Sequence, residues 1–426
     1  MRRSTRAALL LSATLVTGPR PARAEETSEI RWSFSGEARF RPEWRDDADL
    51  NDALNDDTRQ GFMRVRLGVR AAVRDDYTIF VQVQDSRVAG DEASPSPTTS
   101  NQKNLDLHQG YATASFGAKK SFLLTLGRQE WAYGDHRMIG NFSWNNVGRA
   151  FDGVKLHWTR ERCFLDGFFA SISDRPEGTG GNTGSALYGL YAQAAPRKGA
   201  EYEAYYLGFA DNVAAAGESL APGRTNINAV GARAKDRFGR LDVVAEAVIE
   251  RGKFNGDDLA AYATAAQAGL TWGSGAKVRV FGGYDFATGD ENPADGKRQE
   301  FFNFFPTNHP HYGLMDYEGW RNINGPYGGV SLTRGRHFAQ AKVHHFDLDE
   351  ARGPWKDAAG AVLGSDPAGA SGTSIGREVD LTYRFAWKEK ASVEAGLARF
   401  DPGRFAKLRR GSDSSEWGYF MVTFGF

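Results

Sequence analysis

Phe62-Met63-Arg64-Val65-Arg66-Leu67-Gly68-Val69-Arg70-Ala71 is the stretch on which the fold turns. Met63, Val65, Leu67, Val69 and Ala71 share one parity, and Arg64, Arg66 and Arg70 share the other. A side-chain period of two belongs to a β-strand. A soluble sheet would bury the apolar face in a core and leave the arginines to bulk water. A membrane barrel turns the same strand inside out, with apolar side chains in lipid and arginines in the lumen.

The dyad recurs along the chain. Phe34, Ala38 and Phe40 oppose Glu37, Arg39 and Arg41; Val154, Leu156 and Trp158 alternate with Lys155 and His157. Leu241, Val243, Ala245, Ala247 and Ile249 alternate with Asp242, Glu246 and Glu250. Val278 and Val280 alternate with Lys277 and Arg279 in a strand running on to Asp285, and Ala339, Ala341 and Val343 with Gln340, Lys342 and His344. Val379, Leu381, Tyr383 and Phe385 alternate with Glu378, Asp380, Thr382 and Arg384. One such pattern arises by chance; a series spread over the whole chain specifies a sheet. The last stretch, Tyr419 to Phe426, places Phe420, Val422, Phe424 and Phe426 on one face. A bare aromatic edge strand aggregates in water, and a strand ending at a terminal Phe resembles the signal read by the bacterial barrel-assembly machinery.

Between strands lie long polar or Gly/Pro-rich stretches: Asp46 to Asp57, Gly90 to Asn104, Ser173 to Gly184, Ala214 to Arg224, Asp290 to Gln299 and Gly353 to Gly372. Short connectors, Arg74-Asp75-Asp76 and Lys235 to Gly239, alternate with them. Long extracellular loops and short periplasmic turns are the layout of an outer-membrane barrel. The acidic loop Asp46 to Asp57 reads first as solvated, and second as a contact for divalent cations or the lipopolysaccharide layer. The expected fold is therefore all-β: a transmembrane antiparallel barrel of about 18 strands at roughly 22 residues per strand and loop.

Composition agrees. Mean hydropathy is −0.51, and no stretch beyond the N-terminus approaches the roughly 20 apolar residues of a membrane helix. A barrel tolerates this average because only alternate residues meet lipid. At the N-terminus, Arg2, Arg3 and Arg6 precede the apolar run Ala7 to Val16, and Ala22-Arg23-Ala24 supplies a small-residue cleavage site. Residues 1–24 are expected to be a cleaved signal peptide, and 25–426 a single outer-membrane barrel in a Gram-negative bacterium. The leader holds five arginines and no acids, so its removal takes the 53 basic and 53 acidic residues to 48 and 53, a net charge of −5. No basic excess remains to bind nucleic acid. Cys163 is the only cysteine, so an intramolecular disulfide is excluded.

The predicted inward faces carry a different balance. Arg39, Arg41, Arg64, Arg66, Arg70, Lys155, Arg233, Lys235, Arg279, Lys342 and Arg384 outnumber Glu37, Asp242, Glu246, Glu250, Asp285, Glu378 and Asp380. A narrow pore with low-dielectric walls strengthens the field of such a lining and favours anions. Arginine suits carboxylates, which its planar fork binds bidentately. The bland alternative is that lumen charges pair with one another across strands.

The central segment is the most distinctive. Leu126-Gly127-Arg128-Gln129-Glu130 leads through Tyr133-Gly134-Asp135-His136-Arg137 and Ile139-Gly140-Asn141 to Trp144-Asn145-Asn146-Val147-Gly148-Arg149 and Phe151-Asp152-Gly153-Val154. Asp106 to Tyr111, Phe305 to His309 with Tyr312, Gly313 and Asp316, and Gly376 to Tyr383 accompany it. In this order the motifs closely resemble the alginate export family of outer-membrane porins. That resemblance implies an 18-stranded monomeric barrel with a basic constriction, through which an anionic uronate polysaccharide such as alginate leaves the cell. The glycine spacing of 134, 140, 148 and 153 suggests a tight turn or an inward loop. Its charged members Arg128, Asp135, Arg137, Arg149 and Asp152 read either as constriction residues or as a structural salt-bridge knot.

Enzyme readings find little footing. A barrel hydrolase needs a serine or acid placed beside a histidine. His309, His311 and Asp316 cluster in sequence without a serine in a recognisable order, and His344-His345 point to opposite faces of a strand. The expectation is a channel without catalytic residues, metal or cofactor. Its expected partners are the anionic cargo, outer-membrane lipid and lipopolysaccharide, the assembly machinery at Phe426 and periplasmic polysaccharide-synthesis proteins. Uptake of small anionic nutrients is the nearest alternative; a plugged adhesive barrel is a third.

Overall fold

The computed structural model describes residues 30–89, 105–173 and 184–426. The expected leader, the stretch 90–104 and most of the stretch from Ser173 to Gly184 lie outside the described residues. The strands are β1 (Ile30–Asp46), β2 (Thr58–Val73), β3 (Tyr77–Ala89), β4 (Asp106–Phe116), β5 (Phe122–Gln129), β6 (Phe151–Arg160) and β7 (Cys163–Ser173). There follow β8 (Ser185–Ala194), β9 (Glu201–Ala216), β10 (Pro222–Phe238), β11 (Leu241–Phe254), β12 (Asp257–Trp272) and β13 (Ala276–Ala287). After the short β14 (Lys297–Arg298) come β15 (Ile323–Arg334), β16 (His337–Asp347), the small hairpin β17 (Trp355–Lys356) and β18 (Val362–Gly364), β19 (Ser374–Lys388), β20 (Ala391–Pro402) and β21 (Ser415–Gly425). One six-residue helix, α1 (Arg404–Arg409), lies between β20 and β21.

Each long strand pairs antiparallel with its neighbour, and β1 pairs with β21 from Glu37↔Gly425 to Asp46↔Glu416, so 18 strands close into a barrel. Closure leaves no sheet edge, which is the condition for a sheet to cross lipid. The parity expected for β2 holds: Met63, Val65, Leu67 and Val69 are 37–50 % exposed on the outer wall, whereas Arg64 and Arg66 are 3 % and 7 % exposed inside. Outward aromatics gather toward both rims, among them Trp32, Tyr77, Trp272 and Trp387 at the short-turn end and Trp44, Tyr262 and Tyr284 at the other. Such girdles mark the membrane interfaces.

Two boundaries differ from expectation. Lys235 to Phe238 continue β10, and the turn is Gly239-Arg240; most of Ala214 to Arg224 is strand, leaving residues 217–221 as loop. In both places cross-strand pairing overrides polar local composition. At the loop end β11 and β12 meet through Asn255-Gly256, both at positive φ (50° and 96°), the geometry of a two-residue hairpin turn that glycine makes easy.

The lumen is not an empty tube. Residues 130–150, between β5 and β6, and the stretch 301–322, between β14 and β15, fold into it and join side by side. Gly140 N–H donates to Phe305 O at 2.8 Å, Phe305 N–H to Met138 O at 2.9 Å and Thr307 N–H to His136 O at 2.9 Å. Their apolar side chains make a core inside the barrel. Trp131 stacks on Phe151 at 4.8 Å, Tyr133 on Tyr191 at 4.3 Å, and Ile139, Phe301, Met315 and Trp320 are wholly or almost wholly buried. The inward-loop reading of the glycine-spaced motif is the one the fold adopts.

Candidate functional site

The candidate site is the lumen where these two loops cross. On the β1–β2 wall, Arg39, Arg41, Arg64 and Arg66 point inward in two facing pairs of rows, with Arg39 opposite Arg64 and Arg66 opposite Glu37. The segment 143–147 lies directly over them. Arg39 donates Nη1 to Ser143 O (2.8 Å) and Nη2 to Asn145 O (3.0 Å), and Arg41 donates Nη1 to Trp144 O (2.5 Å). Arg64 gives Nη1 to both Ser143 O (3.1 Å) and Asn145 O (3.0 Å) while Nε and Nη2 hold Glu37. Arg66 reaches Val147 O at 3.0 Å and pairs with Glu130 at 3.2 Å. A bulge between Gln82 and Val83 turns His108 inward to the same Glu130, at 2.6 Å. Hydrogen bonds to a charged donor contribute about 1.5–3 kcal/mol each, so this ladder holds the loop in place as well as charging the lumen.

Arg149 joins the two loops. Its Nη1 donates to the carbonyls of Gly140 (3.0 Å), Phe305 (2.5 Å) and Pro306 (2.9 Å). Burial draws this guanidinium down to about 10, which leaves it cationic at neutral pH. Arg137 is buried between the rings of Tyr312 and Trp320, bonds the Tyr312 hydroxyl and pairs with Asp285 at 3.2 Å. Burial, and then the neighbouring Arg137 charge, hold His311 well below the usual imidazole range. The neutral ring donates Nε2–H to Asp135 O at 2.7 Å.

The opposite wall anchors the loops with acids. Arg233 takes Asp135 bidentately at 2.7 and 3.0 Å and also contacts Glu203 at 3.0 Å; Tyr133 donates to Asp166 at 2.6 Å. Glu250 accepts Phe302 N–H at 2.8 Å, and Glu378 accepts Met315 N–H at 2.9 Å. Lys342 donates to His311 O at 3.2 Å. Arg279 is held by Asp242 (Nη2 to Oδ1, 2.5 Å) and Gln267. Either side of the crossing is a cavity. One of about 690 Å³ is lined by Arg41, Arg45, Phe142, Trp144, Asp316 and Trp417; one of about 630 Å³ is lined by Asp135, Lys235, Lys277, Arg279, His311 and Tyr327.

Of the basic residues proposed from sequence, Arg39, Arg41, Arg64, Arg66, Arg137, Arg149, Arg279 and Lys342 thus gather around the crossed loops. Lys155 faces inward on β6, and Arg70 and Arg384 lie exposed at the short-turn end, near the rings of Phe80 and Phe338. Arg128 and Asp152 are a correction. They pair at 2.7 Å on the parity of Leu126, Val154 and Leu156, which is the outer wall, so neither lines the lumen. Arg128 takes its face from β5, and the chain turns inward only after it.

The expected basic excess also changes. Glu43, Asp166, Glu201, Glu203, Asp257 and Glu394 share inward positions, and they offset it. Glu43 continues the parity of Glu37, Arg39 and Arg41 and was legible there; the others stand on strands of weaker alternation, where spacing from the turns could have disclosed their parity.

The family model described as alginate export matches residues 30–420. No curated protein matches the chain. Among solved structures, Pseudomonas aeruginosa OccD3 (OpdP) superposes with a TM-score of 0.61 at 10 % identity, covering 93 % of this chain and 91 % of that one. Pseudomonas aeruginosa OccK11 (OpdR) gives 0.59 at 9 % identity, covering 93 % and 96 %, and Acinetobacter baumannii OccAB4 gives 0.57 at 12 %, covering 95 % and 100 %. At such identities the likeness carries the barrel fold alone. With a lumen crossed by two inward loops and a family match over nearly its whole length, the chain belongs to the alginate export family of outer-membrane channels.

Proposed function

We propose that this channel passes an anionic polysaccharide of the uronate class, such as alginate, outward from the periplasm. One observation carries the direction. The short turns at the end assigned to the periplasm by the barrel layout hold nine basic residues (Arg74, Lys119, Lys120, Arg162, Arg197, Lys198, Arg240, Arg336 and Lys390) against four acids. The outer loops 47–57, 217–221, 288–300, 348–373 and 403–414 hold fifteen acids against eight bases. A polyanion is concentrated at the basic mouth and repelled from the acidic one. The family description supports this cargo class, and the guanidiniums of Arg39, Arg41, Arg64 and Arg66 offer forks for carboxylates wherever the loop carbonyls give way.

In this reading the leader is removed after Ala24, the terminal strand ending at Phe426 engages the assembly machinery, and periplasmic synthesis proteins hand over the polymer. The test is a planar bilayer holding the mature protein across a salt gradient, with uronate oligomers added to one side at a time. Anion-preferring reversal potentials, with block at lower oligomer concentration from the periplasmic side, are expected. Cation preference, or indifference to uronates from both sides, would remove the cargo. A second reading, uptake of small carboxylates, draws on the barrel likeness to Pseudomonas aeruginosa OpdK, solved with vanillate; it requires stronger block from the outer side.

A further inference from the structure

The first extracellular loop, residues 47–57, carries five aspartates and no basic residue. Asp47 is only 6 % exposed, and its Oδ2 is buried with no hydrogen-bond partner. Its carboxylate stands within 4.8 Å of ligand oxygens from Asp49 and Asp56 in one direction, and from Asp52 and Asp413 in another. Among the described residues, none of these five acids meets a basic side chain within ion-pair distance. Arg410, which comes near, donates to the Ala48 carbonyl at 2.9 Å instead. A buried carboxylate oxygen facing further carboxylates, without a donor, is an unfavourable arrangement unless a cation completes it.

We propose that this loop binds one calcium ion, with Asp47, Asp49 and Asp56 as its carboxylate ligands. The donors are all hard oxygens. Their spacing in one short loop suits the larger, geometrically tolerant calcium better than magnesium, which holds its waters and demands an octahedron. The site has a structural setting. The Asp413 amide donates to Leu50 O at 3.0 Å, and Asp52 N–H to Asp413 Oδ2 at 3.1 Å, so the loop is tied to the one between β20 and β21, next to the β1–β21 seam. Gly411 packs so closely there that a Cβ would lie 1.9 Å from Leu50 O. Tyr317 of the second inward loop donates to Ala48 O at 3.0 Å, which links the site to the lumen. Calcium therefore fixes the shape of the first loop, and the hydrogen bonds of Asp413 to Leu50 and Asp52 pass that order to the last loop at the outer mouth. The inference is independent of what the channel carries.

Calorimetric titration of the whole mature protein in detergent micelles with calcium chloride, after chelator treatment, tests it. One ion per chain is expected, with a dissociation constant of about 10⁻⁴–10⁻³ M, as in extracellular calcium modules. Asp47→Asn is expected to weaken binding at least about tenfold, by loss of one charged ligand. Should that variant fail to fold, Asp49→Asn, at a more exposed ligand, is read in its place. No saturable uptake by the wild-type protein, or an unchanged constant in the folded variant, overturns the proposal.

Discussion

The two walls of this lumen hold arginines in opposite ways. On the β1–β2 side, Arg39 is bonded to the carbonyls of Ser143 and Asn145 and, among the described residues, to no carboxylate, whereas Arg41, Arg64 and Arg66 each share themselves between one acid (Glu43, Glu37 and Glu130) and the loop backbone. On the β9–β13 side, Arg233 contacts Asp135, Glu201 and Glu203, and Arg279 is closed on Asp242. A carbonyl accepts a hydrogen bond without cancelling a charge, whereas a carboxylate cancels it. The first wall keeps the charge of Arg39, with the loop-bonded edges of its neighbours, whereas Arg233 and Arg279 on the second are closed on carboxylates. An inward arginine therefore counts toward anion selectivity only after its partners are known.

The largest effect is expected on the first wall. Charge reversal of Arg64, Arg66 and Arg70 together should lower the anion-to-cation permeability ratio by roughly tenfold, since summed lumen charges set potentials of several kT. It should also raise single-channel conductance, because Val147 O loses Arg66, Ser143 O and Asn145 O are left with Arg39 after losing Arg64, and their segment loosens. Unchanged reversal potential in that variant would erase the distinction between the walls. On the second wall, Arg279→Gln frees Asp242, and a shift toward cations of about twofold is expected; a shift as large as the first would show that carboxylate pairing does not mute an arginine. The smallest effect belongs to Arg128→Ala. Lying outside the lumen at a partly exposed pair, it should leave selectivity unchanged and cost under about 1 kcal/mol in an unfolding titration. A selectivity change there would return Arg128 to the pore.

Much of the fold was legible because a strand in a barrel is a local object. Its period of two needs only consecutive residues, and from Phe62 to Ala71 or Val379 to Phe385 each side chain lands on the face its parity assigns. Legibility failed where the period broke. Leu124, Leu126 and Arg128 share a parity that the outward pair with Asp152 alone explains, and the bulge before Val83 reverses the face of His108. The site was legible as a set of inward charges but not as an arrangement, since its pairings join distant residues: Arg41 with Trp144, Arg149 with Phe305, Lys342 with His311.

The amino-acid sequence by itself determined that this chain is an outer-membrane barrel and which wall of each regular strand meets lipid; it left the glycine-spaced segment open between a tight turn and an inward loop. Those follow from hydrophobic periodicity and backbone hydrogen bonding, both of which act between neighbours. Only the tertiary structure decided which arginines remain electrically free. That depends on whether a carbonyl or a carboxylate, 104 residues away for Arg39 and Ser143 and 98 for Arg233 and Asp135, occupies the same few ångströms of lumen.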